Sequence, residues 1–122
     1  GYGAKEVGGR WNNVGTAMVY VSETASLTML ETLVHLHAAQ IMDYFTLLSI
    51  DVPDDQIQKV NMEEVPGNWA NEEAPPELAA YGDAWCFTKA SIALQVPSAL
   101  SPVEYNYLLN PEHLAFFGLT KK

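Results

Sequence analysis

The sequence predicts an α+β fold, a small mixed sheet with short helices, and three observations predict it. Short β-branched and aromatic runs are interspersed with helix-patterned segments rather than grouped into one class. Each run is short and loops carry much of the chain, which argues against the regular crossovers of a doubly wound sheet. The chain has 122 residues, 48% of them hydrophobic, which suits one domain with a core of its own and excludes intrinsic disorder.

Taken in order, Gly1 to Gly15 reads as a glycine-rich loop. Thr16 to Val21 is β-branched and aromatic enough for a buried strand. Ser22 or Thr24 then caps a helix running to about Ala39. Phe45 to Val52 reads as a second strand stopped by Pro53, and Asp54 to Asn61 as a short strand or turn around Ile57 and Val60. Pro66 to Pro76 is a polar loop long enough to act as a lid. Pro76 opens a helix through about Phe87, with Glu77 favourable in its first turn and Gly82 counting against it. Ile92 to Val96 forms a strand leading into Pro97-Ser98, Tyr105 to Leu109 another, and Asn110-Pro111 a turn.

Six basic residues face fifteen acidic ones, a net charge of −9. That balance argues against direct binding to a nucleic-acid backbone and permits a basic protein partner. The lone cysteine, Cys86, excludes an intramolecular disulfide and offers no zinc-ligand spacing. Its neighbours Ala84, Trp85 and Phe87 make it a buried, inert thiol. No apolar run approaches the roughly 18 residues of a membrane span and no signal peptide is visible, so a soluble protein of the reducing cytoplasm, without a membrane partner, is expected.

Arg10 is the chain's one arginine, set in Gly8-Gly9-Arg10-Trp11-Asn12. No other side chain presents the planar fork that grips an anion bidentately. The two glycines let backbone approach a ligand or take positive φ, and Trp11 offers a face for a base or nicotinamide ring. A tight turn followed by an interfacial tryptophan explains the same residues without a ligand.

Glu31 shares the apolar stripe of its helix with Leu27, Leu30, Val34 and Ala38. A carboxylate there needs a partner, such as His35 one turn on, or a cleft, or else snorkels to solvent from the helix edge. Tyr20, at the end of the preceding strand, can stack on a flat ring or donate a hydrogen bond, or serve only as core with a wet tip. Ser98 lacks a nucleophile elbow and a triad, so it reads as a hydrogen-bonding hydroxyl. His35 and His37 face different ways on a helix, and no metal is expected. Glu63, Glu64, Glu72 and Glu73 read as solvated charge. The glycines fit neither a Rossmann fingerprint nor a Walker loop.

Gly8-Gly9-Arg10-Trp11-Asn12-x-x-Gly15, then Val19-Tyr20, then Leu30-Glu31-x-Leu33-Val34-His35, resembles the RES domain of bacterial RES–Xre toxin–antitoxin pairs. Val96-Pro97-Ser98-Ala99 and Asn106-Tyr107-Leu108-Leu109-Asn110-Pro111-x-His113 are similar to the same family's end signature. The resemblance runs from about Gly3 to Phe117, and the letters of the name fall on Arg10, Glu31 and Ser98.

It implies one domain over residues 1–122, without the strand that usually precedes the glycine-rich segment, and a fold like that of ADP-ribosyltransferase toxins. It further implies NAD as substrate, broken at the nicotinamide–ribose bond by hydrolysis or phosphorolysis. An Xre-type antitoxin would neutralise the toxin, and a homodimer is in keeping with the family. Arg10, Tyr20, Glu31 and Ser98 are then the expected catalytic residues. Gly9, Arg10, Trp11, Asn12, Tyr20 and Ser98 would contact NAD. Glu31 would sit by the ribose and Arg10 on the pyrophosphate, while Tyr20 and Trp11 orient the rings and Ser98 and Asn12 add neutral hydrogen bonds. Transfer of ADP-ribose to a protein, or a non-catalytic antitoxin-binding module, are the alternative readings.

Overall fold

A computed structural model of the chain describes residues 8–24, 50–101, 103–113 and 120–121. The helix expected to run to Ala39, with Glu31 and His35, and most of the strand expected over 45–52 lie outside these residues.

The described strands are β1 (Val19–Ser22), β2 (Ile50–Asp51), β3 (Ile57–Lys59), β4 (Ala93–Pro97), β5 (Tyr105–Leu109) and β6 (Thr120–Lys121). Four of them form a mixed sheet in the order β1-β5-β4-β3, with β5 antiparallel to both neighbours and β3 parallel to β4. β2 and β6 make a separate antiparallel pair. A parallel pair needs a crossover connection, and the chain from Val60 to Ile92 supplies it. That crossover holds one α-helix, α1 (Pro76–Thr88). The result is a small α+β domain, as the interspersed short elements predict.

α1 forms for reasons visible in its sequence. Pro76 takes the first helical position, where its missing N–H costs nothing, and Glu77 lies in the first turn. Leu78, Ala79, Gly82, Trp85 and Cys86 recur at helical spacing and are the buried positions. The helix ends at Lys89, in the left-handed region at φ 55° and ψ 27°, with its N–H bonded to the Cys86 carbonyl. Gly82, which sequence reasoning set against a helix, is required here: a Cβ at this position would overlap the Trp11 carbonyl.

Side chains in register share a sheet face, so Tyr20, Leu108 and Leu94 point the same way, as do Ser22, Asn106 and Val96. Leu94, Val96 and Leu108 join Trp11, Met18, Leu78, Trp85 and Cys86 in one buried cluster. Burying a leucine fully is worth about 1.5–3 kcal/mol. Polar groups in this interior are matched. The Trp85 indole N–H donates to Ser91 Oγ, which donates to the Ala93 carbonyl. Asn110 donates through Nδ2 to the Cys86 carbonyl and accepts the Glu112 N–H, so the expected Asn110-Pro111 turn is tied to the end of α1. Cys86 is buried, as expected.

β1 starts later than the apolar run suggests. The Thr16 carbonyl accepts from Asn12 Nδ2, and the Thr16 N–H goes to the Asn13 carbonyl, so this backbone serves a loop rather than a ladder. Between Asn61 and Pro75 the chain makes one 3₁₀ turn (Met62–Glu64) and then only turns and bends. This agrees with the polar loop expected over 66–76.

Candidate functional site

The Gly8–Gly15 loop turns tightly at its start. Gly8 has φ +76°, and Gly9 and Asn12 exchange backbone hydrogen bonds of 3.0 and 3.5 Å. This turn projects Arg10 towards the 66–76 loop. Nη1 of Arg10 donates to the Trp69 carbonyl at 2.8 Å and Nη2 to the Glu72 carbonyl at 3.4 Å. The one arginine is therefore half-buried and clips the two loops together. A guanidinium has five N–H donors, and these bonds engage two of them.

Trp11 follows with 2% of its surface exposed, its ring edge-on to Tyr81 at 6.2 Å. The face expected for a nicotinamide or adenine is turned into the core, because the indole packs against α1. Trp11 anchors the loop from beneath. Its backbone N–H donates to the Tyr20 hydroxyl at 2.9 Å, and that hydroxyl donates to Asn12 Oδ1 at 2.7 Å. Asn12, also buried, donates through Nδ2 to the carbonyls of Thr16 and Asn13. Gly9 closes the arrangement, since a Cβ on it would press on the Tyr20 hydroxyl at 2.8 Å.

Tyr20 thus has two ends. The residue as a whole is 38% exposed, whereas its hydroxyl is engaged by the loop through two hydrogen bonds. Burial raises the phenol well above its ordinary value of 10.0, further raised by the charge of Asp83 and opposed by the Trp11 N–H and Arg10. It is a neutral hydrogen-bonding group at any physiological pH. Ser98 follows the last residue of β4, fully buried, and its Oγ accepts the N–H groups of Leu100 and Ser101 at 3.1 and 3.0 Å. Both bonds shape the turn leaving the sheet. Ser22 Oγ donates to Asn106 Oδ1 at 2.9 Å on the Tyr20 face of the sheet.

The structure therefore joins Gly9, Arg10, Trp11, Asn12 and Tyr20 in one hydrogen-bonded unit. Ser98 lies beyond the C-terminal end of β4, and β1 runs parallel to it with Ser22 at its own C-terminal end. Glu31 lies outside the described residues. Among the described residues no three His, Cys, Asp or Glu side chains gather as a metal site. An open groove of about 400 Å³ beside α1, lined by Tyr81, Trp85, Gln58 and Glu64 among others, contains none of the expected site residues.

Sequence reasoning missed Asp83. Its carboxylate accepts the Asn13 N–H at 3.1 Å and Asn13 Nδ2 at 2.7 Å. The signal was present: Asp83 lies four residues after Ala79 and three before Cys86, on the edge of the buried stripe of α1. Ser22, expected as a helix cap, is the last residue of β1.

Fold and site define a small α+β domain whose single arginine is held on a glycine-rich loop braced by Tyr20 and α1. The chain belongs to the RES domain family, which matches residues 1–122. It is 41% identical over 116 residues to a protein named Toxin Res from Yersinia enterocolitica, covering 95% of this chain and 76% of that one. A second Toxin Res, from Photorhabdus laumondii, is 43% identical over 112 residues, 91% of this chain and 71% of that one. A Prs ADP-ribosylating toxin from a Sphingobium species is 38% identical over 117 residues, 93% of this chain and 72% of that one.

Proposed function

We propose that this chain is a toxin that cleaves the nicotinamide–ribose bond of NAD. The observation that carries the reading is Arg10, a lone guanidinium held half-buried on a braced loop in a chain of net charge −9. An anionic substrate has no other bidentate partner here, and the pyrophosphate of NAD fits that fork. Tyr20, exposed over part of its surface, orients the substrate while its hydroxyl keeps the loop in shape. Asn12 and Ser98 support the site from within, and Gly9 and Trp11 set its backbone.

In the reaction the C–N glycosidic bond breaks and its electron pair leaves with the nicotinamide nitrogen. The ribose carbon gains positive character, as in glycoside hydrolysis, and the Glu31 carboxylate stabilises it and holds a ribose hydroxyl. Oxygen of water or phosphate then bonds to that carbon and gives up a proton. The printed name of the Sphingobium relative favours a second reading with the same residues, transfer of ADP-ribose to a protein. Neutralisation by an Xre-type antitoxin, homodimerisation and action in the cytoplasm belong to the same proposal.

The test is NAD consumption by the purified protein with and without phosphate, following nicotinamide release, in wild type, Arg10→Ala and Glu31→Ala. Loss of at least 100-fold in each variant is expected, on the order seen when a transition-state contact is removed. Turnover unchanged in both would remove the assigned roles. Mass spectrometry of a proteome incubated with NAD separates transfer from hydrolysis.

A further inference from the structure

We propose that Asp83 is a positioning residue of the arginine loop, holding Arg10 at its working angle through Asn13; this rests on the reading of Arg10 given above. Asp83 sits in the middle of α1, far in sequence from the loop it touches. One oxygen takes the Asn13 N–H at 3.1 Å and the other takes Asn13 Nδ2 at 2.7 Å, so main chain and side chain of the same residue are gripped together. An aspartate that served only as solvated helix charge would not be bound at both oxygens. Next to it, Gly82 lets the Trp11 carbonyl approach the helix more closely than any side chain would permit. These two contacts seat residues 11 and 13 on consecutive positions of α1.

Arg10 is the residue immediately before that seat. Its guanidinium reaches the carbonyls of Trp69 and Glu72, in the loop that runs into Pro75 at the start of the same helix. α1 thus fixes both sides of the clip: the loop that carries the arginine, through Asp83, and the loop that receives it, through its own N-terminus. Displacing a binding group by about 1 Å can cost up to 100-fold in rate. A partial release of Asn13 should cost roughly tenfold.

Asp83→Ala removes both acceptors. Asp83→Asn keeps an acceptor for the Asn13 N–H, and its amide can donate to Asn13 Oδ1 once the Asn13 amide is turned over. The expected kinetics are a fall of about tenfold in kcat/KM for NAD in Asp83→Ala, mostly in KM. Asp83→Asn should stay within about threefold of wild type. Placed on Arg10→Ala, Asp83→Ala should add little, because the residue it positions is gone. A full tenfold additional loss there, or an Asn variant as impaired as the Ala variant, overturns the proposal.

Deuterium uptake over residues 8–16 reads the same contact without turnover. It should rise in Asp83→Ala and remain at wild-type level in Asp83→Asn; equal uptake in all three proteins overturns the proposal. If wild type leaves NAD intact, the proposed reaction fails, while the uptake result still decides whether Asp83 holds the loop.

Discussion

The Tyr20 hydroxyl accepts one hydrogen bond and donates another within the loop it supports, so its chemistry is directed inward. Tyr20→Phe leaves the backbone N–H of Trp11 without its acceptor and takes one donor away from Asn12 Oδ1. An orphaned, partly buried polar group costs about 1–3 kcal/mol. The variant should lose stability in that range by urea denaturation, with the m-value unchanged. A midpoint equal to wild type would show that water replaces both bonds without penalty. Residue types were legible at this scale and partners were not. Arg10 announces itself as the chain's one arginine, yet its bonds run to carbonyls 59 and 62 residues away. Trp11 follows it in sequence with nothing to say that the ring faces the core. Ser98 reads as a hydrogen-bonding hydroxyl, and only the fold shows that the backbone N–H groups of Leu100 and Ser101 are its partners.

At the scale of elements, α1, β4 and β5 lie within a residue or so of their expected ends. Their signals are local: proline at the first helical position, apolar spacing, alternation ended by a proline. β1 begins three residues after its expected start because the Asn12 side chain draws the Thr16 carbonyl away from the sheet. Gly82 is the opposite case, a local penalty outweighed by a tertiary contact. Gly82→Ala improves helix propensity by up to about 1 kcal/mol yet places a methyl group on the Trp11 carbonyl. Overpacking of this kind costs about 1–3 kcal/mol, and the neighbouring atom is backbone that cannot swing aside. Net destabilisation is expected, read as a lower denaturation midpoint. A midpoint at or above that of wild type would mean that α1 and the loop can separate freely.

Across the whole molecule, the α+β class followed from how the short runs are distributed, whereas the strand order did not. β3 meets β4 only after a crossover of more than thirty residues, and β6 is a two-residue strand with little local pattern. Burial also gives the molecule an alkaline limit. The Cys86 thiol is pushed from 9.0 up to about 12, chiefly by burial and then by the charges of Asp83 and Glu112, and the Tyr20 phenol is raised above 10.0. Below pH 9 folded and unfolded chains both keep these protons, and the contribution of the two groups is fully present. Above pH 9 the unfolded chain releases them first and binds fewer protons than the fold, so stability falls as pH rises. Denaturation midpoints should decline from about pH 9 towards 12, and Cys86→Ala should make that decline shallower. The same slope in the variant would place the thiol outside this linkage. At pH 8 the native thiol should resist alkylation until the chain unfolds.

The bonds from Arg10 to the Trp69 and Glu72 carbonyls carry one more consequence. Those oxygens act as a tethered competitor, covalently part of the chain and always at hand. An anion that takes the same edge of the guanidinium must first evict them, and its affinity is reduced by whatever holds the loop. An anion that takes the other edge leaves the clip in place and is held against a closed loop. In either case ligand capture and the order of the 66–76 segment become reciprocal quantities, linked through one side chain. A protein that grips this segment from outside would act on Arg10 without touching it.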